Sequence, residues 1–196
     1  MFAYINGKIA DKSNNYVVID AGGVGYKIFM SAKGIEGLKE IGEQQKVYTY
    51  YYVREDNISL YGFLSNEELR MFELLLSVSG VGAKSASGIL SEITPSSFAL
   101  AVITNDDSKL VKIPGIGKKT AARMILELKD KLKTETAIEK NEKIKVAIKE
   151  DNKDNEAVSA LQVLGYTTKE IEKALAKIDV NNLPVEEIIK RALKLL

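Results

Sequence analysis

The stretch "KIPGIGKKTAARMI", residues 112–125, combines a turn with the start of a helix. Pro114, Gly115 and Gly117 are typical of a tight turn, and apolar residues recur after them at helical spacing. The first backbone N–H groups of a helix have no partner within the helix and lie at the positive end of its dipole. With lysines beside them, such groups favour the binding of phosphate or another anion. The stretch therefore predicts an anion site at a turn between two helices.

The same pattern occurs earlier in the chain. Residues 75–93, "LLSVSGVGAKSASGILSEI", align without a gap with residues 110–128, "LVKIPGIGKKTAARMILEL". Each copy predicts a helix, a Gly-aliphatic-Gly turn and a second helix. The candidate phosphate-binding residues are Gly80, Val81, Gly82, Lys84 and Ser85 in the first copy, and Gly115, Ile116, Gly117, Lys118, Lys119, Thr120 and Arg123 in the second.

The residue types in the two copies each have a physical role. The glycines accept positive φ and let a phosphate oxygen approach the backbone, while the aliphatic residue between them anchors the turn in the core. Lysines add positive charge, and the hydroxyls donate hydrogen bonds. None of these groups reads a base edge, so we expect binding that ignores sequence and weakens with salt. Because Arg123 aligns with Gly88, and Lys118 with Ala83, we expect the second copy to contribute more electrostatic affinity.

Two nucleotide-binding motifs are excluded by spacing. A mononucleotide loop requires Gly directly before its Lys-[Ser/Thr] pair, and here Ala83 and Lys118 occupy that position. A dinucleotide fingerprint requires a third Gly where Ser85 and Thr120 stand, and it follows a strand. The remaining alternative is that the turns only join packed helices. Two gapless copies, each followed by lysine, favour anion binding over that alternative.

Composition narrows the class of protein. The chain has 196 residues, of which 45% are apolar, so it can form one or two ordinary domains, or more if they are small. It contains no Cys, His or Trp, which removes disulfides, thiolate nucleophiles, histidine bases and the usual zinc sites. We therefore expect a non-catalytic protein without a cofactor. No long apolar run or secretion signal is evident, so we expect a cytoplasmic protein. The net charge of +1 means that any DNA site is local.

The chain divides into four regions and is predicted to be a multidomain α+β protein. Residues 1–63 alternate as strands do and predict an OB-like β-barrel. Residues 64–133 predict helices throughout. Residues 134–155 are rich in charged and amide side chains and predict a flexible linker. Residues 156–196 predict a compact three-helix module.

Local signals place several helix starts and one aromatic surface. Capping patterns predict helices that begin after Ser65, Thr94, Asp106 and Thr167, and a last helix that begins at Pro184. In the barrel, Tyr48, Tyr50 and Tyr52 fall on one face of a predicted strand. Such a row is able to stack on single-stranded bases, although packing within the barrel is the favoured alternative.

The repeated element resembles the tandem helix-hairpin-helix of DNA-binding proteins. The whole chain resembles the RuvA family of bacterial Holliday junction branch-migration proteins. The residues that carry this resemblance are "GGVGY" at 22–26, "VREDNISLYGF" at 53–63, "GVGAKSASGIL" at 80–90 and "IPGIGKKTAARMI" at 113–125. The order of barrel, double hairpin, charged linker and small helical module also agrees.

The resemblance implies a non-catalytic subunit that binds a four-way DNA junction. A homotetramer, or two facing tetramers, would hold the junction open, with the barrel at the centre and the hairpins on the duplex arms. The UBA-like C-terminal module would recruit the hexameric RuvB ATPase, which hydrolyses the ATP for branch migration in recombination and repair. A RuvC resolvase is a further partner that the resemblance allows. Glu55 and Asp56 would form an acidic pin that repels phosphates, whereas sequence alone favours a solvated turn there.

Two rival functions are considered. A base-excision glycosylase or lyase would need a catalytic Asp or Lys in a pocket for a flipped base, and the chain after Leu128 runs into a polar segment. A generic tether for duplex DNA would explain the hairpins but neither the acidic turn nor the barrel. Comparing a four-way junction with linear duplex separates the tether from the junction-binding hypothesis.

Overall fold

The computed structural model describes residues 1–55, 57–139, 152–180 and 182–196. Their contacts form two compact units. The first unit comprises Met1–Leu76 and Val81–Glu92, and the second comprises Ser77–Gly80 and Ile93–Leu196.

The first unit begins with a closed β-barrel. Its strands are β1 (Tyr4–Lys12), β2 (Tyr16–Ala21), β3 (Val24–Phe29), β4 (Gln44–Val53) and β5 (Ile58–Phe63), and helix α1 (Ala32–Glu36) precedes β4. The strand order around the barrel is β1-β2-β3-β5-β4. The β3–β5 pair is parallel and the other pairs are antiparallel. The predicted OB-like barrel is confirmed.

Alternate residues of the strands fill the barrel, as period-2 patterning requires. The buried core consists of Ile5, Ile9, Val17, Ile19, Ile28, Met30, Leu38 and Val47. Gly7 lies between Ile5 and Ile9 on the inward face of β1 and is also buried. A Cβ added at Gly7 would lie 2.1 Å from the carbonyl oxygen of Asp20 on β2. The barrel therefore closes only because residue 7 has no side chain.

Helices α2 (Asn66–Leu76) and α3 (Ala83–Glu92) complete the first unit. The Ser65 hydroxyl accepts a hydrogen bond from the Glu68 N–H at 3.3 Å, which confirms Ser65 as the predicted cap of α2. The Glu68 carboxylate in turn accepts from the Leu64 N–H at 3.1 Å. Burial raises the pKa of Glu68, and hydrogen bonds from the backbone N–H groups of Leu64 and Ser65 offset part of that rise. The start of α2 is thus fixed by reciprocal side-chain bonds.

The second unit is helical. It contains α4 (Pro95–Thr104), α5 (Asp107–Val111), α6 (Lys118–Glu139), α7 (Asn152–Val163), α8 (Thr168–Leu175) and α9 (Val185–Leu193). The predicted caps Thr94 and Asp106 each accept a hydrogen bond from the backbone three residues on. Thr167 and Glu170 form the predicted capping box, and α9 follows Pro184. These local predictions are confirmed.

Helix α4 packs against two sets of helices within this unit. It contacts α5 and α6, which follow it directly in the sequence, and it also contacts α7 and α9. Its buried side chains include Phe98, Ala99 and Val102, a face too broad for one neighbour to cover. The Ser97 hydroxyl donates to the Glu186 carboxylate at the start of α9. The three-helix module α7–α9 therefore forms as predicted and also packs on α4, which the sequence did not indicate.

The observed units and helix ends differ from the predicted ranges in two respects. Helices α2 and α3 belong to the same unit as the barrel. Helix α6 continues to Glu139 and α7 begins at Asn152, so both ends of the linker predicted over 134–155 are helical. The polar composition of these residues suggested a loop. A helix nevertheless continues wherever its i to i−4 backbone hydrogen bonds are formed. Residues 140–151 of the predicted linker lie outside the described residues.

Candidate nucleic-acid interface

The two Gly-aliphatic-Gly turns have the same local geometry. Gly80 and Gly115 both adopt φ of 83°, the left-handed region that favours glycine. Val81 and Ile116 are each only 7% exposed, so both anchor their turns in a core as predicted. The repeat seen in the sequence is therefore a repeat in structure.

Each turn leads directly into a helix whose first N–H groups are available. The first hydrogen bonds that close the helices are Ala86 N–H to Gly82 O and Ala121 N–H to Gly117 O, both 2.9 Å long. The N–H groups before them have no partner within their helices. A Cβ added at Gly82 or Gly117 would meet nothing within 4 Å, so the space in front of the turn is open. Both turns can accept a phosphate oxygen at the backbone.

The predicted cationic and hydroxyl groups surround these helix starts. Lys84 and Ser85 are exposed on the first turn of α3, and Lys118 and Lys119 are exposed on the first turn of α6. Thr120 is half-buried. Among the described residues none of the three lysines has an ion-pair partner, so their charges face solvent. The second turn carries more free positive charge than the first.

The acidic turn lies between β4 and β5. Val53 pairs with Ile58, and the Arg54 N–H donates to the Asn57 carbonyl at 2.8 Å, which closes a tight hairpin. Glu55 is exposed at this hairpin tip, where the sequence predicted it. Asp56 lies outside the described residues.

Comparisons with known proteins agree with this arrangement. Residues 1–62 match the RuvA N-terminal domain, residues 72–130 the SAM-like helix-hairpin-helix tandem, and residues 152–196 the RuvA C-terminal domain. A protein of Acetivibrio thermocellus named Holliday junction branch migration complex subunit RuvA is 54% identical, covering 99% of this chain and 98% of its own length. The chain belongs to the RuvA family. Relatives with the same name in Ruminiclostridium cellulolyticum and Clostridium perfringens are each 46% identical and are covered over 99% of their length.

In this RuvA-family chain, Arg123 contacts protein rather than only solvent. Its Nη1 donates to the carbonyl oxygen of Ser79 at 3.3 Å, directly before Gly80. Glu127 Oε2 accepts from the Ser79 N–H at 2.9 Å. Phosphate binding by Arg123 stays a prediction, and these contacts give the residue a second role. Sequence reasoning missed Ser79 and Glu127 as partners, because their pairing depends on which helix the turn meets.

Tyr50 and Tyr52 of β4 pack on protein rings in the RuvA-family barrel, and the Tyr48 ring has Lys46 Nζ 4.4 Å from its centroid. Tyr50 packs edge-on against Phe72 of α2 with ring centroids 5.4 Å apart. Tyr52 packs edge-on against Tyr61 at 5.8 Å and accepts a hydrogen bond from Arg54 Nε at 2.9 Å. All of these tyrosines are at least half-buried. Tyr50 and Tyr52 therefore pack within the protein, which was the alternative to base stacking.

The described part of the RuvA-family chain contains neither a cluster of metal-binding side chains nor a single membrane-spanning helix. Within the described ranges, no group of three or more Asp or Glu side chains is placed to hold a metal ion. In the same part of the chain, no single helix is long and apolar enough to cross a bilayer, although α3 and α4 pass that test jointly by length and composition.

Proposed function

We propose that this chain binds four-way Holliday junction DNA without regard to sequence, holds the junction open as a tetramer, and serves branch migration in recombination and repair. The observation that carries the proposal is the repeated turn, in which open glycines, free helix N–H groups and exposed lysines meet twice in one chain. Its RuvA relatives are named as subunits of the Holliday junction branch migration complex.

The two Gly-aliphatic-Gly turns bind the phosphates of the DNA backbone. Backbone N–H groups at Gly82 and Gly117 and the adjacent lysines bind phosphate oxygens, which are the same at every base pair. Each turn alone binds weakly. In a tetramer, the first turn to bind raises the effective concentration of the others, so four chains bind a four-armed DNA far more tightly than one. One tetramer, or two facing each other, accounts for a clamp on the junction.

This chain positions the DNA, and a partner protein hydrolyses the ATP. It contains no Cys or His for nucleophilic or acid–base chemistry, and its relatives are named as one subunit of a complex. We assign ATP hydrolysis to a hexameric RuvB ATPase recruited through α7–α9, and we include a RuvC resolvase as a further partner. Because bacterial DNA is their common substrate, we place this activity in the cytoplasm.

The acidic turn acts at the crossover of the strands. Glu55 is exposed at the tip of the β4–β5 hairpin, and Asp56 follows it in the sequence. A carboxylate 4 Å from a phosphate in water is repelled by roughly 1 kcal/mol, and by more where water is excluded. Four copies around a centre would keep the strands apart and mobile.

The preference for a junction is tested by titrating the chain against a synthetic four-way junction and a linear duplex of the same length, at two salt concentrations, with a gel shift as the readout. We expect the junction to bind at least about tenfold more tightly, since several grips act together. We also expect both affinities to fall as salt rises. Equal binding to both DNAs would support the generic duplex tether instead.

Neutralising the acidic turn should tighten junction binding. In Glu55→Gln we expect about threefold tighter binding to the junction at low salt, because one repulsion per chain is removed. Binding to linear duplex should not change. Glu36→Gln is a matched control, since Glu36 is an exposed carboxylate on α1 of the same barrel. An equal gain on junction and duplex, or an equal gain in the control, would contradict the assigned role.

A further inference from the structure

The backbone of Ser79 is held from both sides by one helix. Arg123 Nη1 donates to its carbonyl oxygen at 3.3 Å, and Glu127 Oε2 accepts from its N–H at 2.9 Å. Arg123 and Glu127 stand four residues apart on α6 and so share one face. Arg123 Nη1 also lies 3.5 Å from where a Cβ of Gly80 would be. We call Arg123, Glu127 and the Ser79 backbone the Ser79 clamp.

We propose that Arg123 and Glu127 are positioning residues, which hold the Gly80 turn of the first hairpin in its phosphate-binding geometry. The inference rests on the proposed function and adds a device that sequence patterns do not assign. Two bonds from one helix hold both the N–H and the carbonyl of the residue before Gly80, so the two peptide planes that flank Ser79 at the entry to the turn are both restrained.

The clamp exists in only one of the two copies. The residue aligned with Ser79 is Pro114, which has no N–H to donate. The residue aligned with Arg123 is Gly88, which has no side chain. Glu92 aligns with Glu127. It cannot repeat the arrangement, because Pro114 offers it no N–H and position 88 provides no guanidinium. The first turn, poorer in lysine, depends on being held in shape, whereas the second depends on charge.

Glu127 separates this role from simple electrostatics. A carboxylate beside a phosphate site repels DNA, so on charge alone its removal should tighten binding. In the clamp, its removal frees the N–H of Ser79 and should weaken binding. The two explanations therefore predict opposite signs for the same substitution.

The test measures the affinity of the full chain for a synthetic four-way junction by gel shift. In Glu127→Ala we expect about fivefold weaker binding, the size of one lost hydrogen bond. Glu127→Gln should bind at least as tightly as the unchanged chain, because its amide oxygen still accepts from Ser79 and its negative charge is removed. The control Glu92→Ala should bind equally or more tightly. Tighter or unchanged binding by Glu127→Ala would overturn the proposal.

A second variant tests the same bond from its other end. Ser79→Pro removes the N–H without changing charge, and Pro114 shows that proline fits before a Gly of the same φ. We expect Ser79→Pro to bind about fivefold more weakly and Ser79→Ala to bind normally. Adding Glu127→Ala to Ser79→Pro should cost nothing further. Full additivity of the two changes would overturn the clamp even if one variant folds less well.

Arg123 is tested by coupling. If Arg123 positions Ser79, the losses in Arg123→Ala and Glu127→Ala should be less than additive in the double variant, since both act on the backbone of one residue. If Arg123 only binds phosphate, the two losses should add, and the positioning role is refuted. If the unchanged chain shows no preference for the junction, the proposed function is refuted instead. That result is distinct from additive losses in the double variant, so the two failures are distinguishable.

Discussion

The double variant Lys118→Ala with Lys119→Ala will bind a four-way junction at least about tenfold more weakly than the unchanged chain at moderate salt. Both lysines are exposed on the first turn of α6 and lack ion-pair partners among the described residues. Each phosphate contact contributes about 0.9 to the slope of log affinity against log salt, so this slope should also become shallower. The single variant Lys84→Ala in the first hairpin should lose less. A gel-shift titration at several salt concentrations measures both quantities.

The matched control for this experiment removes two lysines elsewhere. Lys169 and Lys173 are exposed on α8, so Lys169→Ala with Lys173→Ala changes the net charge equally without touching the hairpins. We expect the control to retain most of its affinity. If the control loses as much as the hairpin variant, net charge rather than the turn explains binding. If Lys84→Ala loses more than the hairpin pair, the expected inequality of the two hairpins is wrong.

Gly7→Ala will unfold or strongly destabilise the barrel. The new Cβ would lie 2.1 Å from the carbonyl oxygen of Asp20 and 2.9 Å from Ile19 Cγ2, and the first of these atoms is backbone held in the β1–β2 ladder. Overpacking against groups that cannot move costs about 3 kcal/mol. We expect a corresponding fall in the free energy of unfolding, measured by urea denaturation followed by circular dichroism.

Gly88→Ala provides the matched control for that substitution. Gly88 is exposed within α3, and a Cβ there would meet nothing within 4 Å. Replacing an exposed helical glycine by alanine should stabilise the chain by roughly 0.5–1 kcal/mol. The same change thus has opposite signs at two positions. A Gly7→Ala chain as stable as the unchanged one would mean that β1 and β2 shift to make room.

Local structure was predictable because its causes are local. The caps at Ser65, Thr94 and Thr167 each depend on a side chain and a backbone N–H three residues away. The strands of the barrel followed from alternation, and the two Gly-aliphatic-Gly turns followed from Gly80 and Gly115 with the apolar spacing around them. In each case the interacting groups are close in sequence, so residue type and spacing are sufficient.

Features that depend on long-range packing were not predicted. The packing of α7 and α9 on α4 brings together residues that are far apart in the sequence. No pattern in either segment indicates that the other is its partner. Arg123 was interpreted by residue type as a phosphate ligand, and only the structure places Ser79 within its reach. The constraint at Gly7 arises from Asp20 on the next strand. Such contacts are set by the fold as a whole rather than by a motif.

The closure of the barrel has a consequence for how the chain folds. Strand β1 pairs with β4, and β3 pairs in parallel with β5, so the barrel closes only after Ile58–Phe63 has been synthesised. Closing such long loops is slow, whereas the hairpin helices form through contacts between neighbours in sequence. Until closure, the early strands present unpaired edges that favour aggregation. Strands β1 to β4 therefore stay unprotected until β5 has been synthesised and has paired.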